Sequence, residues 1–308
     1  MIDFSSISQF KGHISTILFD HNTQSNIAFD GNIELFMENL IKDSKNYIQP
    51  HYLCSLDKKK ARCKKNAEVF TPSWMCNIQN NLIDNHWFGQ NNVFNKELNK
   101  KWITNTQKIQ FPNKKIWKEY VSLKRLEICC GEAPYLVSRY DSVTGELISI
   151  PDRIGLLDRK LRIINENAHS KSEWEQFALI AYKSVYGYEK NGKNLLIARL
   201  NLFFTFIEYY IDHFDKKPTE TLLSKISNII SWNLWQMDGI KCVIPESCQV
   251  ERIVQIDLFG EEDVQENGCI GCAKGDVYHH NGIYAKIMDW EKNKKVRYVD
   301  LLARGYTL

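Results

Sequence analysis

The stretch LLIARLNLFFTFIEYY, Leu195 to Tyr210, constrains the fold more than any other part of the chain. Apolar side chains fall on nearly every side of a helix drawn through it, so the helix belongs in an interior, packed against a sheet. Arg199, Asn201 and Glu208 interrupt it, and it is too short to span a bilayer comfortably. A water-filled compartment, not a membrane, is the expected setting.

The segments around that helix alternate. Arg125 to Cys130 (RLEICC) reads as a short buried strand running into a turn at Gly131-Glu132-Ala133-Pro134. Ser172 and Glu175 form a capping box ahead of a helix over Ser172 to Tyr182. Val185 to Tyr188 is strand-like, with Gly187 inside it and a polar turn, Lys190 to Lys193, after it. A helix over Glu220 to Ile230 follows Pro218 and leads into Asn233 to Gly239. Strands alternating with helices predict an α/β fold with a doubly wound, Rossmann-like parallel sheet. Beyond Lys241 the valines, isoleucines and short turns predict a small β-rich C-terminal module. The expected units are 1–66, N-terminal, helical and basic; 67–240, the α/β domain; and 241–308, the module. At 308 residues the chain is long for one domain of about 150 residues.

Charge excludes little by its total, since 40 Lys and Arg face 37 Asp and Glu, but it is unevenly spread. Lys58, Lys59, Lys60, Arg62, Lys64 and Lys65 form one basic run. A second stretch, Lys96 to Lys118, includes Lys114 and Lys115, has Glu97 as its one acid, and interleaves Trp102, Phe111 and Trp117. Such runs are commonly solvated faces. The functional reading is a phosphate-contacting surface for double-stranded DNA, with aromatics available for stacking. The N-terminus MIDFSSISQF has neither a basic n-region nor an apolar h-region, so a cytoplasmic location is expected. In that setting nine cysteines, an odd number, read as free thiols or metal ligands rather than a disulfide framework.

A nucleotide-type ligand lies across the strand ends of an open α/β sheet, where a glycine lets it approach the backbone. Gly131 is the candidate, with Glu127 or Glu132 available for an amine or hydroxyl. Glu189, at the tip of the second strand, can accept hydrogen bonds from both ribose hydroxyls. Asp238, at the tip of the third, can accept from an adenine amino group. Singly, each also reads as an ordinary turn or a solvated acid; their order is what carries the signal.

Ala67-Glu68-Val69-Phe70-Thr71-Pro72 before a helix-like Ser73 to Ile83 resembles the Phe/Tyr-Thr-Pro motif of adenine-N6 DNA methyltransferases, including the modification subunits of restriction systems. Leu126 to Leu136 is similar to that family's first cofactor motif, with Cys-Cys-Gly-Glu in place of a glycine-richer loop. Tyr186 to Leu202 resembles the segment with the ribose-binding acid, and Asn233 to Gly239 the strand whose Asp meets adenine. The likeness spans about residues 60 to 240. It implies S-adenosylmethionine as cofactor, bound at Thr71, Pro72, Glu127, Gly131, Glu189 and Asp238, in a restriction–modification or phage-defence setting. The family's Asn/Asp-Pro-Pro-aromatic motif, which holds a flipped adenine, has no counterpart here, since no Pro-Pro occurs in the chain. Val243 to Cys248 stands near its expected place without the amide and aromatic.

The C-terminus carries Cys269-Ile-Gly-Cys272 followed by His279-His280. Cys-x-x-Cys closes a tight loop around tetrahedral zinc, a histidine can supply a third ligand, and Cys242 or Cys248 can complete the set. An unmetallated turn and a redox pair are the competing readings. Three functions follow: a DNA methyltransferase; a non-catalytic subunit that keeps the cofactor fold to bind DNA or a partner methyltransferase or nuclease chain; and a metal-stabilised nucleic-acid-binding module without cofactor.

Overall fold

The computed structural model describes residues 9–28, 50–55, 57, 59–61, 64, 68–111, 116–256 and 262–303. Of the sequence-predicted site residues, Lys58, Lys114 and Lys115 lie outside the described residues. The chain begins with α1 (Lys11–Leu18), a hairpin of β1 (Phe19–Asp20) and β2 (Ser25–Asn26), and α2 (Ser73–Phe88). A second hairpin, β3 (Asn95–Leu98) and β4 (Lys101–Thr104), precedes α3 (Trp117–Ser122). The centre runs β5 (Arg125–Glu127), α4 (Leu156–Asn167), α5 (Lys171–Lys183), β6 (Val185–Glu189), α6 (Gly192–Phe214), α7 (Glu220–Asn233) and β7 (Leu234–Gln236). The C-terminal part has β8 (Glu251–Ile256), β9 (Glu262–Asn267), α8 (Ile270–Lys274), β10 (Lys286–Asp289), β11 (Lys294–Arg297) and α9 (Tyr298–Ala303).

Strands β5, β6 and β7 form a three-stranded parallel sheet, with Leu126 opposite Tyr186 and Gly187 opposite Leu234. Each connection is a pair of helices, α4–α5 and then α6–α7, as parallel strands require. The α/β class is therefore present. The strand order follows the chain order, without the reversal that defines a doubly wound sheet, among the described residues.

Side chains alternate across a strand, and here the alternation separates two cores. Val185 and Leu234 face the large core built from α1 and the four crossover helices. Tyr186, Tyr188, Trp235 and Met237 face a smaller core shared with Cys242, Ile244, Ala285, Ile287, Tyr298 and Val299. The C-terminal part is thus a third layer over the face of the sheet that the helices leave open.

Helix α6 is buried along nearly its whole length, as its apolar circumference requires. Asn191 caps it by accepting from the N–H groups of Lys193 and Asn194, and Asp215 ends it in the left-handed region. Arg199, Asn201 and Glu208, which interrupt its sequence, are buried and hydrogen-bonded. Arg199 donates to the carbonyls of Ile17, Phe19, Ser231 and Leu234, joining α1 to the end of α7. Glu208 binds Arg139 at 2.8 Å and Arg153 at 2.5 Å. Asn201 donates to Glu132 O and Tyr140 Oη, which fixes the loop after β5.

The capping box of α5 lies two residues earlier than the sequence pattern suggests. Ser170 Oγ accepts from Glu173 N at 3.1 Å, while Glu173 accepts from His169 N at 3.0 Å. No helix among the described residues is long and apolar enough to cross a membrane.

Candidate metal centre and strand-tip site

The strand predicted to reach Cys130 stops at Glu127, because the backbone turns left-handed at Cys129, Gly131 and Ala133, with φ of 48°, 54° and 62°. Such values suit glycine at 131 but strain the other two, and strain of this kind gathers at functional loops. The loop remains tied to the sheet: Cys130 N donates to Tyr188 O at 2.8 Å. Gly131 N donates to Glu189 Oε2 and Asn191 N to Glu189 Oε1, each at 2.8 Å. Glu189 is buried, and burial raises its carboxyl against the pull of those N–H groups.

The other two acids of the loop hold it from beneath. Glu127 accepts from Tyr135 N at 3.3 Å and Leu136 N at 3.1 Å, and burial pushes its carboxyl up to about 8 against them. Glu132 accepts from His51 N at 2.5 Å and Tyr140 Oη at 2.8 Å.

The Thr71–Pro72 segment lies over the same loop. Phe70 stacks on His51 with ring centroids 3.8 Å apart, and its edge would stand 3.8 Å from a Cβ at Gly131. Asn191 Nδ2 donates to Glu68 Oε1 at 3.1 Å, and Ser142 Oγ to Thr71 O at 2.8 Å. Pro72 is the N-cap of α2, whose first N–H, on Ser73, donates to Asp141 Oδ2 at 2.6 Å. Residues far apart in sequence, Thr71, Pro72, Gly131 and Glu189, therefore share one neighbourhood at the carboxyl edge of the sheet. Asp238 stands beyond the adjacent strand. Its Oδ2 meets Lys190 Nζ at 3.0 Å, and its Oδ1 accepts from the N–H groups of Ile240 and Lys241. Burial opposes ionisation of Asp238, but Lys190 and those amides hold its carboxyl below the ordinary value. Ile128 and Ile240, 65% and 86% exposed, give this edge an apolar rim.

The second constellation is a cluster of Cys248, Cys269, Cys272 and His280, whose ligand atoms all lie within 4.8 Å of one another. His280 Nδ1 is 3.6 Å from the sulfur of Cys248, 3.4 Å from Cys269 and 3.7 Å from Cys272. Zn–S bonds of 2.3 Å and Zn–N bonds of 2.0–2.1 Å at a tetrahedral angle place S and N about 3.5–3.6 Å apart. The spacing and the donor chemistry therefore suit a tetrahedral metal.

The chain path selects these ligands. Gly271 lets α8 approach, since a Cβ there would stand 2.7 Å from His280 N. His279 is outside the set: its Nδ1 pairs with Asp276 Oδ2 at 2.7 Å, in solvent. Cys242 is buried in the smaller core instead. Two features had no sequence signal: Lys241 Nζ lies 3.3 Å from Cys272 Sγ, and Asn281 N donates to Cys269 Sγ at 3.4 Å. Burial works against ionising Cys269, yet the amides of Asn281 and Cys272, with His280 and Cys248, lower its pKa; that of Cys248 is raised.

Of the basic stretches, Lys59 donates to Tyr52 O at 3.4 Å and Lys60 is exposed. Tyr52 follows His51, so Lys59 is tied to the turn that carries the Phe70 stack. The aromatics of the second stretch serve the protein itself: Trp102 Nε1 donates to Asp152 O, and Phe111 and Trp117 pack against the large core. The chain matches no protein-family model, no curated protein and no solved structure.

Proposed function

We propose that the carboxyl edge of the parallel sheet binds S-adenosylmethionine and that the chain is a DNA-directed protein of the adenine-N6 methyltransferase kind. The observation that carries this reading is the juxtaposition of the Thr71–Pro72 segment, the Gly131 loop and Glu189, joined through Phe70, Glu68 and Asn191. Glu189 accepts from the Gly131 and Asn191 amides on separate oxygens, and a carboxylate has lone pairs beyond those two for a vicinal diol. Asp238 can exchange the Lys190 ammonium for an adenine amine. Gly131 offers backbone without a Cβ where the ligand must pass, and Ile128 and Ile240 can flank an aromatic base. The cofactor, when bound, supplies an electrophilic methyl group; these residues bind and orient it. Duplex DNA is the proposed partner, drawn to lysines that border this edge.

A second reading is favoured by one observation. Val243 to Cys248, where a base-holding motif is expected, is built into the protein instead: Ile244 lies in the smaller core and Cys248 in the metal cluster. A non-catalytic subunit that binds cofactor and DNA, or a partner methyltransferase or nuclease chain, fits that arrangement. In either reading the Cys and His cluster is a structural zinc site, since four protein ligands close the coordination shell. Calorimetric titration with S-adenosylmethionine followed by labelled methyl transfer to mixed duplex DNA separates the cases. Binding with transfer supports the enzyme, binding without transfer the subunit, and no binding overturns both.

A further inference from the structure

We infer that one zinc ion held by Cys248, Cys269, Cys272 and His280 is the fastener that keeps the C-terminal layer on the second face of the parallel sheet. The inference rests on reading the cluster as a zinc centre and adds the ion's task.

Three thiolates and an imidazole suit zinc, a borderline-soft ion without redox chemistry. Zn²⁺ with three thiolates carries a net charge of −1, and the surroundings answer it with donors. Lys241 Nζ stands 3.3 Å from Cys272 Sγ, and Asn281 N donates to Cys269 Sγ. Such outer partners orient ligands and stabilise the thiolate form.

The ligands sit at the roots of the two arms that form the layer. One arm leaves β7 and passes through Cys242 and Ile244 to Cys248. The other starts at His280 and passes through Tyr284 and Ala285 into β10. The arms meet over a short length: Ile244 N donates to Ile283 O at 2.8 Å, Ala285 N to Cys242 O at 3.2 Å, and Val243 bridges Tyr284. The Ser247 and Asn281 side chains add bonds to Ile283 N and Gln249 beside the ligands. The elements they carry are short, β10 and β11 of four residues each and α9 of six. A lone hairpin and a helix of this length are marginal in water without an added constraint. An ion joining Cys248 to His280, 32 positions apart, supplies that constraint by closing the loop between the arms. It also places Ile244 and Ala285, hence Ile287, against Tyr186, Tyr188, Trp235 and Met237.

Cys242 reports on the layer, because it is 1% exposed and lies beneath it. Cys76 and Cys130, 0% and 2% exposed, report on the rest of the fold. The test is metal analysis of the full chain purified without chelator, then pulsed alkylation read cysteine by cysteine, before and after metal removal. We expect one zinc per chain. On removal, Cys242 alkylation should rise about tenfold or more, while Cys76 and Cys130 stay protected. His280→Ala should reproduce this with the metal lost, and His280→Cys, which restores a four-sulfur shell, should reverse it. Stoichiometric zinc with Cys242 still protected after its removal overturns the fastening role and leaves the zinc centre standing. Labelling of Cys76 and Cys130 in step with Cys242 overturns it too, since the ion would then hold the whole fold. A chain isolated without zinc, or with Cys269 and Cys272 joined as a disulfide, overturns both.

Discussion

The two faces of the parallel sheet are closed by different means. On the helix face, α6 and its neighbours bury a continuous apolar core, and Glu208 inside it is paired with Arg139 and Arg153. On the other face, short elements cover Tyr186, Tyr188, Trp235 and Met237, and a Cys and His cluster stands at the root of that cover. Long amphipathic or buried helices stabilise themselves by the area they remove from water. Short hairpins remove less and gain more from a local constraint. The Cys and His cluster therefore stands where burial alone is weakest.

The largest effect should come from breaking the helix face at its charges. Glu208→Ala leaves two buried guanidinium groups without their carboxylate, and the loss should be about 3–5 kcal/mol in denaturant unfolding. Burial alone would raise the Glu208 carboxyl, but Arg139 and Arg153 override it and hold it at about 2. A folded value below the unfolded one adds stability that is complete above about pH 4.5 and is lost as pH falls toward 2. Unfolding midpoints measured across that window should slope downward with acid in the parent and much less in Glu208→Gln. A parallel slope in both would show that this network does not set the acid limit of the helix face.

The smaller face offers the next test. Ile287→Ala should cost about 2–5 kcal/mol in metal-loaded protein, as deletion of a buried side chain does. If the layer depends on the ion, the same substitution should cost far less once metal is removed, because Ile287 is then already in water. A matched deletion on the helix face, Phe203→Ala, should cost the same with and without metal. Equal costs for Ile287→Ala in both states would erase the difference between the faces.

What the sequence revealed follows the same division. The helices expected over 73–83, 195–210 and 220–230 are present and run further, to 73–88, 192–214 and 220–233. Strands occur at 125–127, 185–189 and 234–236, within or beside the expected segments. Long periodic segments and the turns between them carry their own signal, while element ends do not. The Cys-x-x-Cys was legible because its spacing is local. The remaining ligands were open, since choosing Cys248 over Cys242 and His280 over His279 depends on a chain path that no local spacing encodes. The polar stripe of α2 was missed for a related reason. Asn77, Asn80, Asn81 and Asp84 recur at helical spacing and are all buried. Asn77, Asn81 and Asp84 hold Arg159, Asn95 and Tyr120, while Asn80 donates to Tyr135 O and Ile154 O. Periodicity alone would place such a stripe in solvent. Glu127 and Glu132 were legible as acids near a turn, but their hydrogen bonds to Tyr135, Leu136, His51 and Tyr140 arise only when the loop folds back.

A smaller effect is expected at the strand tips, which belong to neither face. Glu189→Ala should weaken S-adenosylmethionine binding by about 1–3 kcal/mol through lost charge-assisted contacts. It also removes the acceptor of the Gly131 and Asn191 amides, so the loop should loosen. Calorimetric titration alongside hydrogen exchange of residues 129–133 distinguishes these outcomes. Faster exchange with unchanged affinity would make Glu189 a support for the loop and nothing more.

The smallest effect should appear at the lysines proposed to contact DNA. Lys59 is anchored to Tyr52 beside the His51–Phe70 stack, and Lys60 is exposed next to it. If they border the groove that admits a duplex, each phosphate contact adds about 0.9 to the steepness of affinity against salt on logarithmic axes. Replacing Lys58, Lys59 and Lys60 by Ala should therefore flatten that slope and weaken binding at low salt, with little change at high salt, where the lysine contribution is screened. Because Lys59 and Lys60 lie in neither core of the sheet, denaturant unfolding should barely change. A solvated lysine face without a partner gives the opposite pattern: parent and variant bind duplex equally at every salt concentration, and the basic run then serves solubility alone.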